Sequence, residues 1–523
     1  MRIFCKNLLG VKSLSLIFLI LLNFPLISKA ADQQKVEQLL ETKECAECNL
    51  QDAQLGGAFL RGANLREANL VFADLKGARL DGAVLLSALM GRVEAQEASL
   101  FRANLENAYL REANFSNANL AQANLKFTNL RQAILRETDL EDADLTNSYI
   151  FLADFSNANL KGANLFQAEI TEAILTGANL ENADLRMAKI QATDLTYVDF
   201  RGTQIDDDTL DDRWLTVWNV VNKPEVTDWT GVDLTESYLH KLDFKNKIFE
   251  NANFQKAFLF MVDLRGVNLT NTNLTQTKLQ YADLRGANLT GANFFETDLR
   301  GTNLSGTDLS FVNFRGVLMD QNTIIVDKWR TVWELVNQGG VGRNLTEINL
   351  EDSNLQGADL SMSNLSSALL SRSNLKEAIL KDADLNNAIL EGTDLSNADL
   401  TLAVLARANL ENANLENANL TEATLRNAQL TNINFRGANL QRSNLRNTDL
   451  KNANLELANL ENAHLVGASL VNAKVLGANF AGADLTDANF FGADIDDETL
   501  YQAAILCGVT KPDGTKITTT NCN

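Results

Sequence analysis

Proline is nearly missing from this chain, with three in 523 residues. Each proline removes a backbone donor and a rung from any sheet ladder, so the scarcity suits long uninterrupted pairing. Histidine is scarcer still: His240 and His464 are the only two. No phosphate loop, G-x-S-x-G element or metal-binding helix occurs. With two isolated histidines and no third partner, the sequence offers no catalytic constellation. Cationic excess is lacking too: 46 Lys and Arg face 67 Asp and Glu, a net charge of −21. That balance excludes the basic footprint of a nucleic-acid binder, and acidity alone serves solubility. Aromatic residues make up only 7% of the chain.

What the chain has is repetition. From Leu405 to Leu440 it reads A-R-A-N-L, E-N-A-N-L, E-N-A-N-L, T-E-A-T-L, R-N-A-Q-L, T-N-I-N-F, R-G-A-N-L, with an apolar residue at Leu410, Leu415, Leu420, Leu425, Leu430, Phe435 and Leu440. A small or branched residue precedes each by two places, as at Ala413, Ala418 and Ile433. A period of five matches neither a helix nor a flat strand. The pattern resembles the pentapeptide-repeat family, whose signature is A-(D/N)-L-x-x. That resemblance implies an all-β fold, a right-handed quadrilateral β-helix with one pentapeptide per side and four per coil. A fold of this kind does not by itself imply a function.

Three runs carry the repeat. The first has its centres from Leu50 to Ile205, the second from Leu234 to Met319, and the third from Leu345 to Leu500. Leucine should fill a narrow interior, where only a small residue fits beside it. The stretch Met90 to Glu97, with Ala95 at a leucine position, is the weakest part of the first run and a candidate bulge. The expected division is a signal peptide at 1–30, an N-terminal helical cap at 31–44, solenoids at 45–205, 230–319 and 343–500, helical interruptions at 206–229 and 320–342, and a C-terminal cap at 501–523.

The signal peptide rests on basic Arg2, Lys6 and Lys12, the apolar run Leu14–Leu22, and Ser28-Lys29-Ala30 before Ala31. The run is short for a membrane span, and the alternative is an uncleaved anchor. Export fits the remaining cysteines, Cys45, Cys48, Cys507 and Cys522, as candidate disulfides. A C-x-x-C pair can also serve redox chemistry or half a zinc site, but no thioredoxin-like pattern or nearby histidine accompanies this one. Cys507 and Cys522 bracket the turn signal Lys511-Pro-Asp-Gly-Thr515.

The two interruptions resemble each other. Trp214, Val217, Trp218 and Val221 lie at helical spacing, and Trp329, Val332, Trp333 and Val336 repeat it. The four tryptophans are candidate cap or interaction aromatics. Helices closing three solenoid blocks are the first expectation, and one tube with helices looped outside is the alternative. Asp206, Asp207, Asp208, Asp211 and Asp212 could bind calcium or favour a helix N-terminus. No cofactor, metal or direct nucleic-acid binding is expected.

The signal, the C-x-x-C leader and the Trp-x-x-x-Trp interruptions make the chain similar to family members of cyanobacteria, which implies periplasm or thylakoid lumen. The expected function is a non-enzymatic exported scaffold that presents polar walls to a protein partner. The alternative, also implied by the resemblance, is an acidic DNA mimic that binds a DNA-processing enzyme such as gyrase.

Overall fold

The computed structural model describes residues 32–518. The expected signal peptide and Cys522 lie outside the described residues.

Each pentapeptide forms one side of a square coil. Leu415 and Ala413 point inward and are buried. Twenty residues later the chain has gone once round, and Asn414 pairs in parallel with Asn434. Leu415 N donates to Asn434 O (2.7 Å), and Asn434 N donates to Ala413 O (3.0 Å). The corner is closed by Ala418 N donating to Leu415 O (3.0 Å). Its second residue, Asn417, takes φ of 57°, the left-handed region that asparagine, aspartate and glycine tolerate best. The residue before the leucine ties the corner to the next coil. Asn414 Oδ1 accepts from Glu416 N (3.2 Å) at the corner and from Asn434 Nδ2 (2.9 Å) one coil on. Alanine, asparagine and leucine thus have separate physical reasons. Leucine burial contributes about 1.5–3 kcal/mol per side chain, which supports a tube only one side chain thick.

Where threonine replaces the inward alanine, its hydroxyl finds a carbonyl. Thr277 Oγ1 donates to Phe254 O (2.9 Å), so the polar atom is buried but satisfied. The second run also fills its interior with Phe244, Phe249 and Phe254, packed edge to face at centroid distances of 5.0 and 5.2 Å. The expected bulge at Met90–Glu97 does not occur. Asp74, Glu94 and Asn114 stay in the twenty-residue register, and Val93 and Ala95 are buried. Removing side-chain volume here leaves the backbone ladder intact.

The chain divides into two compact units. The first runs to Leu195 and includes Thr203–Thr209. It opens with α1 (Gln33–Thr42), N-capped by Asp32, which buries Val36 and Leu39. Three short parallel strands stand out from its ladder: β1 (Tyr149–Phe151), β2 (Glu169–Thr171) and β3 (Lys189–Gln191), in that order, with Ile150 opposite Ile170 and Ile170 opposite Ile190.

The second unit comprises Thr196–Gly202 and Leu210–Asn523. It holds α2 (Asp212–Asn222), α3 (Asp327–Asn337) and α4 (Asp497–Leu500). Around α3 the ladder steps over the insertion: Phe311 N donates directly to Asp352 O (2.8 Å). Tyr197 N likewise donates to Glu236 O (2.9 Å) across the α2 segment. After α4 the coil resumes one residue out of phase, with Asp484 paired to Ile505 and Asn489 to Thr510, before a final antiparallel bridge between Thr510 and Lys516.

Candidate binding face

The tryptophans sit differently from a single apolar stripe. In α2 the buried residues are Trp214, Val217 and Val220, and in α3 they are Trp329, Val332 and Leu335. Trp218, Val221, Trp333 and Val336 are half-buried. Trp214 packs 6.3 Å from the Phe200 ring, and Trp333 Nε1 donates to Val317 O (2.8 Å). Each helix ends in the same clasp. Asn337 Oδ1 accepts from Gly316 N (2.7 Å), while its Nδ2 donates to Phe314 O (2.8 Å) and Trp333 O (2.9 Å). Asn222 makes the same three bonds to Gly202 N, Phe200 O and Trp218 O (2.7, 2.9 and 3.0 Å). The asparagine replaces the ladder partner that the chain removes when it leaves the coil.

The acidic residues act in the same way. Asp206 Oδ2 accepts from Met187 N (2.6 Å), Asp320 Oδ1 from Gly301 N (3.0 Å), and Asp211 caps α2 through Trp214 N (3.0 Å). Among the described residues, no group of three or more His, Cys, Asp or Glu is placed to hold a metal ion. Cys45 and Cys48 are joined by a disulfide, and both are buried. Cys507 is disulfide-bonded. His464 is exposed on a wall, paired in the ladder with Asn444 and Asp484.

One side of the second run carries a cluster of stacked rings. Its outward residues repeat every twenty positions, so Tyr238-Leu-His240 lies directly below Phe258-Leu-Phe260. The Tyr238 and Phe258 rings stack at 5.3 Å, His240 and Phe260 at 5.5 Å, and Phe258 and Phe260 at 6.1 Å. Tyr281 meets Phe260 edge to face at 5.4 Å. That pose requires Gly301, because a Cβ there would lie 2.5 Å from the Tyr281 ring. His240 Nδ1 is 2.9 Å from Phe260 O, and a carbonyl can only accept, so this nitrogen carries the proton. Burial lowers the His240 pKa, against the opposing hydrogen bond to Phe260 O.

The rings open onto a groove of about 780 Å³, lined by Tyr197, Lys256, Phe258, Phe260, Gln276, Lys278, Gln280 and Glu296. Ion pairs close both ends of this face: Arg201 to Asp199 (2.5 Å) and Arg300 to Asp298 (2.6 Å). Burial alone would raise the Asp298 pKa, but the bonds from the Arg300 side chain and amide outweigh it and hold the carboxyl below its usual range. His240 is half-buried among these rings, and no motif in the sequence marks Tyr238, Phe258 or Phe260. The available signal was the aromatic pair on either side of Leu239 and again on either side of Leu259, one coil later.

The ladder, the inward leucines and the left-handed corners define a class, the right-handed quadrilateral β-helix. The chain belongs to the pentapeptide-repeat family. The profile described as "Pentapeptide repeats (8 copies)" matches residues 44–85, 98–136, 123–167, 151–186, 163–202, 259–294, 282–321, 342–372, 438–475 and 463–497. A second profile, "Pentapeptide repeat region", matches residues 378–455. Similar solved structures include HetL of the cyanobacterium Nostoc, a pentapeptide repeat protein involved in heterocyst differentiation regulation (24% identity, 46% of this chain and 92% of that one, TM-score 0.20). Another is a pentapeptide repeat protein of the Arabidopsis thaliana thylakoid lumen (32% identity, 24% and 85%, TM-score 0.20). A third comes from the cyanobacterium Cyanothece (24% identity, 22% and 99%, TM-score 0.12). No curated protein sequence matches the chain.

Proposed function

We propose that the protein is a non-enzymatic, exported scaffold whose walls engage a protein partner in the periplasm or thylakoid lumen. The observation that carries this reading is the construction of the walls. Charged side chains pair from coil to coil, as in Arg372 with Asp352 (2.7 Å), Arg436 with Glu416 (3.1 Å) and Arg442 with Glu422 (3.2 Å). Such pairs add little stability, so their regular placement suits a polar surface meant for contact. Location rests on the first thirty residues of the sequence, and no helix of the described residues is long and apolar enough to cross a membrane.

The test is fractionation of cells making the full chain at native level, combined with photo-crosslinkers at Glu416 and Glu422. The reading expects an extracytoplasmic protein and a discrete protein adduct. A cytosolic protein or the absence of any adduct overturns it. The acidic DNA-mimic reading is favoured by the net charge of −21. It expects the purified chain to inhibit gyrase supercoiling, whereas the scaffold reading expects no effect.

A further inference from the structure

We propose that the groove beside Phe258 and Phe260 binds a neutral oligosaccharide. A pyranose ring has two kinds of surface. Its C–H faces are apolar and pack on aromatic rings, and its hydroxyl edge needs donors and acceptors. The groove offers both, at a volume within the roughly 300–1,000 Å³ of ligand sites. Phe258 and Phe260 supply the apolar floor. Gln276 and Gln280 supply planar amides, and their orientation is fixed by chemistry. Gln276 Nε2 donates to Glu296 Oε2 (2.7 Å) and Gln280 Nε2 to Asp298 Oδ2 (2.6 Å), and a carboxylate can only accept. Each amide oxygen is thereby left as an acceptor. That of Gln280 is buried and has no partner among the described residues, so a hydroxyl that reaches it satisfies an acceptor otherwise left unpaired. Lys278 adds a donor along the same face, and Lys256, paired with Glu236 (3.3 Å), adds a second.

The same face argues against other ligands. Nucleic-acid bases also stack on aromatic platforms, but phosphates would meet Glu296 in the groove on a chain of net charge −21, and the groove's Lys256 is already paired with Glu236 (3.3 Å). An extended peptide would need free backbone groups to add a strand. Here those groups are used: Phe258 N donates to Ser237 O, Lys278 N to Ala257 O, and Leu259 N to Lys278 O. An amphipathic helix needs a continuous apolar groove, and the floor turns polar at Lys278 and Gln280 one coil beyond the phenylalanines. A neutral, hydroxyl-rich ring ligand meets none of these obstacles.

The experiment titrates the full chain with cellohexaose and with hexa-N-acetylchitohexaose by calorimetry, using a phosphorylated oligosaccharide, a dT12 oligonucleotide and a random peptide mixture as the contrasting probes. The proposal expects at least one of the two neutral hexasaccharides to bind, with affinity unchanged between about 50 and 500 mM salt. Removing the rings in the Phe258→Ala/Phe260→Ala variant should weaken binding at least about tenfold. Gln280→Ala, which spares the aromatic floor, should weaken it as well, and Glu416→Ala on a different run should not. Circular dichroism verifies that each variant keeps the wild-type spectrum. Failure of both hexasaccharides to bind overturns the proposal. So does binding that both groove variants retain, or binding confined to the charged or peptide probes. The titration uses purified protein, so its outcome is independent of where the chain resides and of any wall partner.

Discussion

Replacing Asn337 should loosen α3 specifically. Its side chain makes three hydrogen bonds at 2.7–2.9 Å, one received from Gly316 N and two given to Phe314 O and Trp333 O. A hydrogen bond of this kind contributes about 0.5–1.5 kcal/mol net, and Asn337 lies at an exposed position where water offers partial replacement. Asn337→Ala should therefore cost about 2 kcal/mol of local stability, which is ~30-fold in an opening equilibrium. Asn337→Asp should be worse near neutrality, although it keeps the acceptor for Gly316 N. Its carboxylate would face the Phe314 and Trp333 carbonyls, with no proton to give either. That environment raises the introduced carboxyl's pKa in the fold. The folded state then binds more protons than the unfolded one, so the defect appears as pH rises through about 4 and fades below it. Hydrogen exchange of the α3 amides is the appropriate assay, because a repeat chain opens region by region. Unchanged α3 exchange in Asn337→Ala, or full protection in Asn337→Asp at neutral pH, would refute the clasp.

Leu415→Asp should cost several kcal/mol by placing a carboxyl in the tube, whereas Glu416→Ala, which removes a surface pair with Arg436, should cost about 0.5 kcal/mol or less. Equal shifts in urea denaturation would contradict the assignment of inward and outward positions. In protein isolated without reductant, Cys45, Cys48 and Cys507 should resist alkylation after unfolding; labelling of any of the three argues against its disulfide. The Arg265 and Arg285 side chains, hydrogen-bonded to Asp263 and Asp283, hold those carboxyls below their usual range. Stability from a depressed carboxyl is present above about pH 4 and lost as pH falls through the folded value. Arg265→Gln/Arg285→Gln should therefore lower the melting temperature near neutrality, and the gap from wild type should close by about pH 2; a gap that persists in acid sinks the linkage.

Much of the fold was written in the sequence because each coil position has a local cause. Leucine faces in because the tube is one side chain thick. Alanine usually precedes it by two because little room remains beside the leucine, although branched residues such as Thr277 and Ile433 are also buried there. Asparagine or aspartate stands between them because its side chain must meet the corner amide. These demands recur every five residues, so no long-range information is needed to place Leu415, Ala413 or Asn414. The interruptions were legible only as helices. Which of their residues are buried depends on what they rest against: Val220 and Leu335 are buried, whereas periodicity alone pointed to Val221 and Val336, which are half-buried. The ladder bonds from Phe311 to Asp352 and from Tyr197 to Glu236 join residues far apart in the chain, so only the folded coil could display them. The binding face has the same origin. Tyr238, His240, Phe258 and Phe260 are scattered letters until the twenty-residue turn stacks them, and the amides of Gln276 and Gln280 acquire a direction only from carboxylates one coil away.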